Sequence, residues 1–448
     1  MSPPQAATCG DNGESRREVM DFKFIHAADL HIDSPMRGLS AYDGAPLERL
    51  RSATRQTLIS LVDLAIEEQV ALVLYVGDIF DGDWADFHTG QFFREQNVRL
   101  VREGIRVYIV KGNHDAESQI TKVLPKVEGV HIFDHKRCES QEIPELKVAL
   151  HGQSFKQRAV TDDLAADYPV AKEDWFNIGL LHTCLTPETA GTHLPYAPTS
   201  VTTLASKGYD YFALGHVHQR QVVREDSPRI VFPGNLQGRH ANEPGTKGCE
   251  LVTVRDGHIE SQHVSLERVR WHRLAIDATD LANVDMLAVA CAAQLQAQFS
   301  DAPEPLHAVR VKVHGQSELA RIEAAQRGTV EAAVRAAAQD LQGLDVWIEK
   351  VELELSAPVD RTELARRGDA LSEVVRLVDE LAGDDIAVLT WVRAELQDLK
   401  ELPVELTSLA PASLDADALR ELLADAEATV LAKMPVGKSD QTKQEKAT

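Results

Sequence analysis

Side chains with metal-ligand chemistry follow a run of apolar residues at positions 71–76. The run reads as a buried strand that stops at Gly77, and two carboxylates, Asp78 and Asp81, come next. Sheets of α/β proteins place their ligand chemistry at the carboxyl ends of the strands. Because a carboxylate has two oxygens, Asp78, the first to leave the strand, could bridge two metal ions. We therefore take Asp78 as the centre of a candidate site.

Other segments repeat this form, in which an apolar run ends in a loop that holds Asp, Asn or His. The loops are Asp29-Leu30-His31, Gly112-Asn113-His114-Asp115, His182-Thr183 and Gly215-His216-Val217-His218. A single Asp-x-His or His-x-His is usually a surface turn or a hydrogen-bonded histidine, but recurrence at successive strand ends favours a metal site. Imidazole, carboxylate and amide ligands without a thiolate suit Mn, Fe or Zn better than a structural thiolate zinc site.

The elements that must position these loops alternate between strand and helix over residues 21–265. Helical spacing of apolar residues at 47–68 and 89–103 separates the early strands. Later strands are shorter, and Arg255-Asp256-Gly257-His258 between two alternating runs indicates a hairpin. This order predicts two sheets packed face to face, with helices outside them.

Two further regions follow this part of the chain. Residues 266–357 read as strand, helix, strand, helix and strand, which predicts a small α+β cap domain without a ligand cluster of its own. From 358 to 436 the pattern is helical, with amphipathic stripes. Residues 1–20 and 437–448 are polar, and we expect a disordered leader and a disordered tail.

Composition limits the classes of protein to which the chain could belong. No apolar run approaches the roughly 20 residues that span a bilayer, and the leader lacks the apolar core of a secretory signal. The five cysteines form no C-x-x-C pair, which favours free thiols in the cytoplasm. The net charge of −23 argues against a protein that coats DNA by itself. It leaves room for a nuclease that owes its DNA affinity to a partner or to a confined basic strip.

Taken together, the motifs resemble those of the calcineurin-like metallophosphoesterases in order and spacing: Asp29-x-His31, Gly77-Asp78-x-x-Asp81, Gly112-Asn113-His114-Asp115, His182 and Gly215-His216-x-His218. Residues 77–84 and 233–240 further resemble DNA repair exonucleases of the SbcD and YhaO type. The specific motifs cover about residues 22–265. The resemblance implies a four-layer αββα sandwich, followed by the small α+β cap domain and C-terminal helices.

The resemblance also implies two divalent metal ions, with Mn²⁺ preferred and Fe²⁺ or Zn²⁺ as alternatives. It assigns one metal ion to Asp29, His31, Asp78 and His218. It assigns the other to Asp78, Asn113, His182 and His216. Two adjacent metal ions can acidify a water molecule and neutralise a phosphate during in-line attack.

The remaining polar residues of these motifs are candidates for catalysis, for orienting the catalytic group or for binding substrate. The family pattern leaves His114 unligated, so this residue is the candidate catalytic group, which could protonate the leaving oxygen or stabilise transition-state charge. Asp115 or Asp81 could hold its tautomer, although some relatives carry a histidine where this chain has Asp81. Arg239 and His240 could hold a substrate phosphate, or they could belong to a solvated turn.

The preferred functional hypothesis is a Mn-dependent DNA exonuclease or endonuclease that acts in DNA repair. A phosphoprotein phosphatase or a nucleotide phosphodiesterase could use the same ligands, because specificity on a shared fold lies in its loops. A non-catalytic scaffold that binds DNA and an ATPase is disfavoured by the complete ligand set. The resemblance also implies a coiled-coil ATPase partner of the SbcC type, docked through residues from about 360 to 435, and it leaves a homodimer open.

Overall fold

The computed structural model describes residues 21–34, 45–81, 87–117, 127–186, 196–302, 304–358, 364–366, 368–395, 420, 423–424, 426–427 and 430. The expected disordered leader and tail lie outside these residues. The chain divides into two compact units, one comprising Met1–His272 with Glu304–Ala308 and the other Arg273–Pro303 with Val309–Thr448. The domain boundaries drawn from the sequence stay predictions.

The strands are β1 (Phe22–Ala27), β2 (Leu72–Val76), β3 (Arg106–Val110), β4 (Val130–Ile132), β5 (Glu139–Ile143), β6 (Val148–Gly152), β7 (Phe176–His182), β8 (Tyr211–Gly215), β9 (Gln221–Arg224), β10 (Arg229–Phe232), β11 (Gly248–Arg255), β12 (His258–Ser265), β13 (Val269–Asp277), β14 (Leu306–Gln316) and β15 (Val346–Ser356). The α-helices are α1 (Leu47–Glu67), α2 (Phe87–Arg102), α3 (Asn113–Glu117), α4 (Val201–Ala205), α5 (Val284–Phe299), α6 (Leu319–Ala325), α7 (Thr329–Gln339), α8 (Ala370–Ala382) and α9 (Asp385–Glu395). Short 3₁₀ turns lie at Pro144–Leu146 and Leu164–Asp167.

Two six-stranded sheets form the first unit, with the strand orders β12-β11-β1-β2-β3-β4 and β5-β6-β7-β8-β10-β9. Strands β1, β2, β3 and β4 run parallel to one another, as do β6, β7, β8 and β10. Since parallel strands end at the same edge of a sheet, the loops after β1, β2 and β3 leave one sheet together. The loops after β7 and β8 do the same in the other sheet.

Alternation of side chains along the strands builds the layers. In β2, Leu74 points into the core between the sheets, where it joins Ile178 of β7, while Tyr75 faces the opposite way. Tyr75 belongs to a second core that Leu58 and Leu61 of α1 complete. Leu204 of α4 packs in a cluster on the outer face of the other sheet. The four-layer αββα sandwich predicted from the sequence is confirmed.

The hairpin expected near residue 256 joins β11 to β12. Asp256 and Gly257 both adopt positive φ, 49° and 75°, as a two-residue type I′ turn requires. Aspartate tolerates this conformation better than most side chains, and glycine has no Cβ to clash. Asp-Gly between two alternating runs therefore predicts a hairpin because both residues can adopt the positive φ that this turn requires.

The second unit has its own core. Strands β13, β14 and β15 form a three-stranded sheet. Leu287 of α5 and Val334 of α7 pack in one cluster with Val311 and Ile348 of the sheet. Helices α5 and α7 correspond to the two helices predicted in this region, whereas α6 was not predicted from the sequence. The predicted small α+β region after the sandwich is therefore present.

The C-terminal helical prediction lies partly within the described residues. The Asp369 side chain caps α8 by accepting hydrogen bonds from the backbone N–H groups of Leu371 and Ser372. Val378 and Leu381 of α8 pack in a cluster with Leu423. Other apolar residues of the predicted amphipathic stripes, including Leu396, Leu399, Leu419 and Leu422, lie outside the described residues. Within the part of the chain that the structure describes, the helices are too short or too polar to cross a bilayer.

Candidate metal centre

The polar loops that follow the strands meet in one place. Asp29 and His31 follow β1, and Asp78 follows β2. The backbone N–H of Asp29 donates to the Gly77 carbonyl at 3.0 Å, and that of His31 donates to the Asp78 carbonyl at 3.0 Å. These two hydrogen bonds join the loops and carry the parallel pairing of β1 and β2 past the ends of the strands.

One group of candidate ligands consists of Asp29, His31 and His218, whose ligand atoms all lie within 4.8 Å of one another. The Nε2 atoms of His31 and His218 are 3.3 Å apart. The His218 Nε2 atom lies 3.8 Å from the Asp29 Oδ1 atom. Two imidazole nitrogens and a carboxylate oxygen that converge in this way can share a cation.

A second group surrounds His182, the last residue of β7. Its Nδ1–H donates to the Val76 carbonyl at 3.0 Å, so Nε2 is the ring nitrogen that would bind a metal ion, with loss of its proton. The Nε2 atom lies 3.0 Å from Asn113 Oδ1 and 3.5 Å from Asp78 Oδ2. Asp78 Oδ2 is also 4.0 Å from the His31 Nε2 atom, so the Asp78 carboxylate lies between the two groups.

His216 contacts both groups by different atoms. Its backbone N–H donates to the two carboxylate oxygens of Asp29 at 3.2 and 3.0 Å. Its ring lies beside the His182 ring, with the centroids 5.3 Å apart. All the metal ligands inferred from the sequence, Asp29, His31, Asp78, Asn113, His182, His216 and His218, therefore lie in one cluster.

The charges of the cluster fit divalent metal ions. Asp29 and His182 are fully buried, and Asp78 is 2% exposed. Burial, together with the charge of Arg239, lowers the pKa of His31 to about 4, so this imidazole is neutral and able to bind a metal. Burial alone would lower the pKa of His182, but the Asp78 and Asp29 carboxylates raise it to about 9. The buried carboxylates therefore favour a positive charge at this place.

The backbone around the ligands is strained in a consistent way. Asp29, His31, Asp78 and His216 have φ values of 52°, 43°, 52° and 102°, in the left-handed region. Each such residue costs on the order of 1–3 kcal/mol, and such strain concentrates at functional sites. Holding these side chains at the strand ends therefore costs conformational free energy, which packing elsewhere in the structure offsets.

Glycines make the close approach of the loops possible. A Cβ atom at Gly112 would lie 2.3 Å from Asp78 Oδ1, and one at Gly215 would lie 1.9 Å from the Val76 carbonyl oxygen. At Gly77, where φ is 85°, a Cβ would lie 2.1 Å from the His182 ring. The glycines that precede the ligands in the sequence are therefore part of the site.

The ring of His114 lies at the edge of the cluster and is partly exposed. Its backbone N–H donates to Asp78 Oδ1 at 2.9 Å, and its ring lies 5.1 Å from the His31 ring. The His114 Nδ1 atom is 3.5 Å from Asp81 Oδ1. A substrate could thus reach an imidazole that the proposed metal ligands hold in place.

The structure separates the roles of the two flanking carboxylates. Asp81 contacts both His114 and His31, the latter at 2.7 Å from Nδ1, and it also accepts a hydrogen bond from Ser34. Burial would raise the pKa of Asp81, but the bonds from His31 and Ser34 hold it well below its usual range.

Asp115, in contrast to Asp81, binds backbone N–H groups. Its carboxylate accepts hydrogen bonds from the N–H groups of Ile79, Phe80 and Gly112, at 2.9, 3.0 and 3.1 Å. Burial and the nearby Asp78 charge raise the pKa of Asp115. Of the two carboxylates considered for orienting His114, Asp81 has the contact, while Asp115 ties the Asp78 loop to the start of α3.

Arg239 and His240 differ in their placement. The Arg239 guanidinium lies 2.9 Å from Glu243 Oε1 and 3.8 Å from Asp81 Oδ1. The His240 side chain is 54% exposed, with its Nε2 atom 3.7 Å from Glu243. Arg239 is thus packed beside the cluster, and His240 lies on the surface.

Glu243 was missed by sequence reasoning. It is 7% exposed, and its Oε1 atom accepts a hydrogen bond from the His218 Nδ1–H at 2.8 Å. In the sequence Glu243 is a lone acid before Pro-Gly, a context that usually indicates a solvated turn. It was not found because its partner His218 lies 25 positions away in the sequence, a separation that no motif records.

Comparison with known proteins agrees with this geometry. Residues 22–220 match the family model of the calcineurin-like phosphoesterases. The chain carries a calcineurin-like metallophosphoesterase domain. Residues 271–356 match the family model of the middle domain of metallophosphoesterase YhaO. The second compact unit therefore contains a region similar to one that accompanies a metallophosphoesterase in another protein.

The chain is similar to several curated proteins. It is 36% identical over 278 residues to the uncharacterized metallophosphoesterase YhaO of Bacillus subtilis, covering 60% of this chain and 66% of that protein. It is 26% identical over 215 residues to the DNA double-strand break repair protein Mre11 of Sulfurisphaera tokodaii, covering 47% of this chain and 52% of that protein. The chain thus spans between about half and about two thirds of these relatives.

A solved dimetal phosphatase from Danio rerio is also similar, at 12% identity and a TM-score of 0.32, covering 55% of this chain and 98% of that one. This similarity is too weak to bear on substrate or mechanism.

Replacing Asp78 with Asn tests the shared carboxylate. We expect the metal content of the purified protein to fall at both positions, because Asp78 lies between the two groups of ligands. Elemental analysis after dialysis measures this, and Asp63→Asn, which alters an exposed ion pair with Arg99, is the control. Two metal ions per chain in folded Asp78→Asn protein would contradict the assignment.

Proposed function

We propose that this metallophosphoesterase hydrolyses phosphodiester bonds in DNA as a Mn-dependent exonuclease or endonuclease that acts in DNA repair. The observation that carries the proposal is the similarity of about half of this chain to several proteins named for DNA double-strand break repair. The ligands themselves do not separate a nuclease from a phosphatase, because the same donor set serves both.

The proposed ligands fall into two sets, one for each metal ion. Asp29, His31 and His218 would hold one divalent ion, Asn113, His182 and His216 the other, with Asp78 shared between them. When bound, such ions supply positive charge for a phosphate and lower the pKa of a water molecule. Nitrogen and oxygen donors without sulfur are compatible with Mn²⁺, which we prefer, and with Fe²⁺ or Zn²⁺.

His114 would handle the proton of the leaving group. The Asp81 Oδ1 atom lies 3.5 Å from His114 Nδ1, so Nε2 is the ring nitrogen left to face a substrate oxygen. The partial exposure of the ring lets a substrate oxygen approach it. His114 is therefore the group that we assign to protonation of the leaving oxygen.

A partner protein is the second part of the proposal. Ile386 and Trp391 of α9 are 75% and 38% exposed, and Leu377 of α8 is 45% exposed. Exposed apolar side chains on amphipathic helices are typical of surfaces that dock on another helix or a coiled coil. These features support docking of a coiled-coil ATPase of the SbcC type through residues from about 360 to 435, and homodimer formation stays open.

The substrate class is tested by comparing rates. Metal-free protein is reloaded with Mn²⁺ and incubated separately with end-labelled linear DNA, a nucleotide diester and a phosphopeptide. We expect DNA cleavage that a chelator abolishes and Mn²⁺ restores, with Asp78→Asn protein inactive as the control. Release of phosphate from the phosphopeptide, with the DNA left intact, would make the protein a phosphatase.

The role of His114 is tested by His114→Gln. Loss of a general acid typically costs 10²–10⁴-fold in rate, so we expect turnover on DNA to fall by about a hundredfold or more. Metal content should stay near that of the wild type, because His114 is not a proposed ligand. Unchanged turnover would leave His114 with a structural role, and loss of metal would make it a ligand.

The docking surface is tested by deleting residues 360–435. We expect Mn-dependent cleavage of short single-stranded ends to persist, while co-purification with a co-expressed SbcC-type ATPase is lost. Undiminished binding of the ATPase to the shortened protein would place the docking surface elsewhere in the chain.

A further inference from the structure

Two histidines of one ligand group each donate a ring hydrogen bond to a carboxylate. The His31 Nδ1 atom lies 2.7 Å from Asp81 Oδ1, and the His218 Nδ1 atom lies 2.8 Å from Glu243 Oε1. With Nδ1 as the donor, each Nε2 carries a lone pair, and these two Nε2 atoms are 3.3 Å apart. A carboxylate on the far ring nitrogen fixes the tautomer and orientation of a metal-binding histidine and raises its basicity.

Arg239 connects the two carboxylates. Its guanidinium lies 2.9 Å from Glu243 Oε1 and 3.8 Å from Asp81 Oδ1, and its backbone N–H donates to Glu243 Oε2 at 2.8 Å. The Asn235 side-chain amide donates to the same Oε2 atom at 3.0 Å. Both oxygens of Glu243 are thus engaged, so the carboxylate has little freedom to turn away from His218.

The same segment fixes the backbone of His218. Lys247, which is 3% exposed, donates from its ammonium group to the His218 carbonyl at 2.8 Å. His182, in the second ligand group, is held differently, because its Nδ1–H donates to the Val76 carbonyl on β2. Residues 239–247 therefore contact the first ligand group through His218, whereas a strand backbone orients His182.

We propose that Glu243 and Arg239 are positioning residues for one metal position, in which Glu243 orients His218 and Arg239 links Glu243 to the Asp81 that orients His31. The proposal rests on the metal-dependent function proposed above and names the residues that tune one of its two metal positions. It also reassigns Arg239, which the sequence suggested as a phosphate ligand. The two carboxylates that this guanidinium contacts, those of Glu243 and Asp81, belong to the chain itself.

Metal binding in the absence of substrate tests the proposal. Metal-free Glu243→Gln protein is titrated with Mn²⁺ by isothermal calorimetry, with electron paramagnetic resonance to count bound ions. Loss of such a supporting group typically weakens metal binding by about 10–100-fold, and we expect this loss at one of the two positions only. Two Mn²⁺ ions bound with wild-type affinities by folded Glu243→Gln protein would overturn the proposal.

The chain offers a matched control in Glu349. This glutamate is 2% exposed and is paired with Arg310 at 2.7 and 2.8 Å, but it lies on β15, in the second compact unit. Glu349→Gln therefore also removes a buried carboxylate that pairs with an arginine. It should lower the melting temperature without changing Mn²⁺ affinity. If Glu349→Gln lowered the Mn²⁺ affinity as much as Glu243→Gln does, the effect of Glu243→Gln would be general destabilisation.

The Arg239→Lys variant distinguishes a positioning role of Arg239 from a role in substrate binding. It also provides a second test of the proposal if the Glu243→Gln protein does not fold. A positioning role predicts weaker binding of one Mn²⁺ ion, with KM for the model diester bis(p-nitrophenyl) phosphate unchanged once Mn²⁺ is saturating. A raised KM with unchanged Mn²⁺ affinity would instead make Arg239 a phosphate ligand. If the wild type binds Mn²⁺ without cleaving any phosphodiester, the proposed function fails while the binding comparison still decides the positioning role.

Discussion

The structure depends on the burial of two carboxylates, Asp29 and Asp78, beside each other at the carboxyl ends of parallel strands. Buried negative charges are costly unless a positive charge or hydrogen-bond donors accompany them. The backbone N–H groups of His216 and His114 donate to these carboxylates, and the lone pairs of the neighbouring imidazoles point into the same space. The arrangement leaves a place where divalent cations compensate the charge, and this need accounts for the composition of the surrounding loops.

The charged groups and the imidazoles can gather in one place because the strand ends of the sandwich approach one another closely. Gly77, Gly112 and Gly215 stand where a Cβ atom would displace His182, Asp78 or the β2 backbone. Outside the ligands lies a second layer of ionised side chains, in which Asp81 and Glu243 hold His31 and His218. The two ligand groups are therefore held by different means, one by carboxylates and the other by strand backbone. That difference could give the two metal ions different affinities.

Much of this could be predicted from the sequence because the signals are local. The motif loops follow strands as predicted, since apolar runs and hydrophobic periodicity report burial directly. The choice between Asp81 and Asp115 as partner of His114 could not be made, because both lie within a few residues of a proposed ligand. Glu243 could not be found either, because its contact with His218 joins residues 25 positions apart. Such contacts depend on how loops fold over one another, and no periodic pattern records them.

We infer that two metal ions share Asp78 at the meeting point of these strand ends. Crystals soaked in Mn²⁺ and measured at the manganese absorption edge test it most directly. We expect two anomalous peaks, one bounded by Asp29, His31 and His218, the other by Asn113, His182 and His216, with the Asp78 carboxylate between them. A single peak, or peaks away from Asp78, would contradict it.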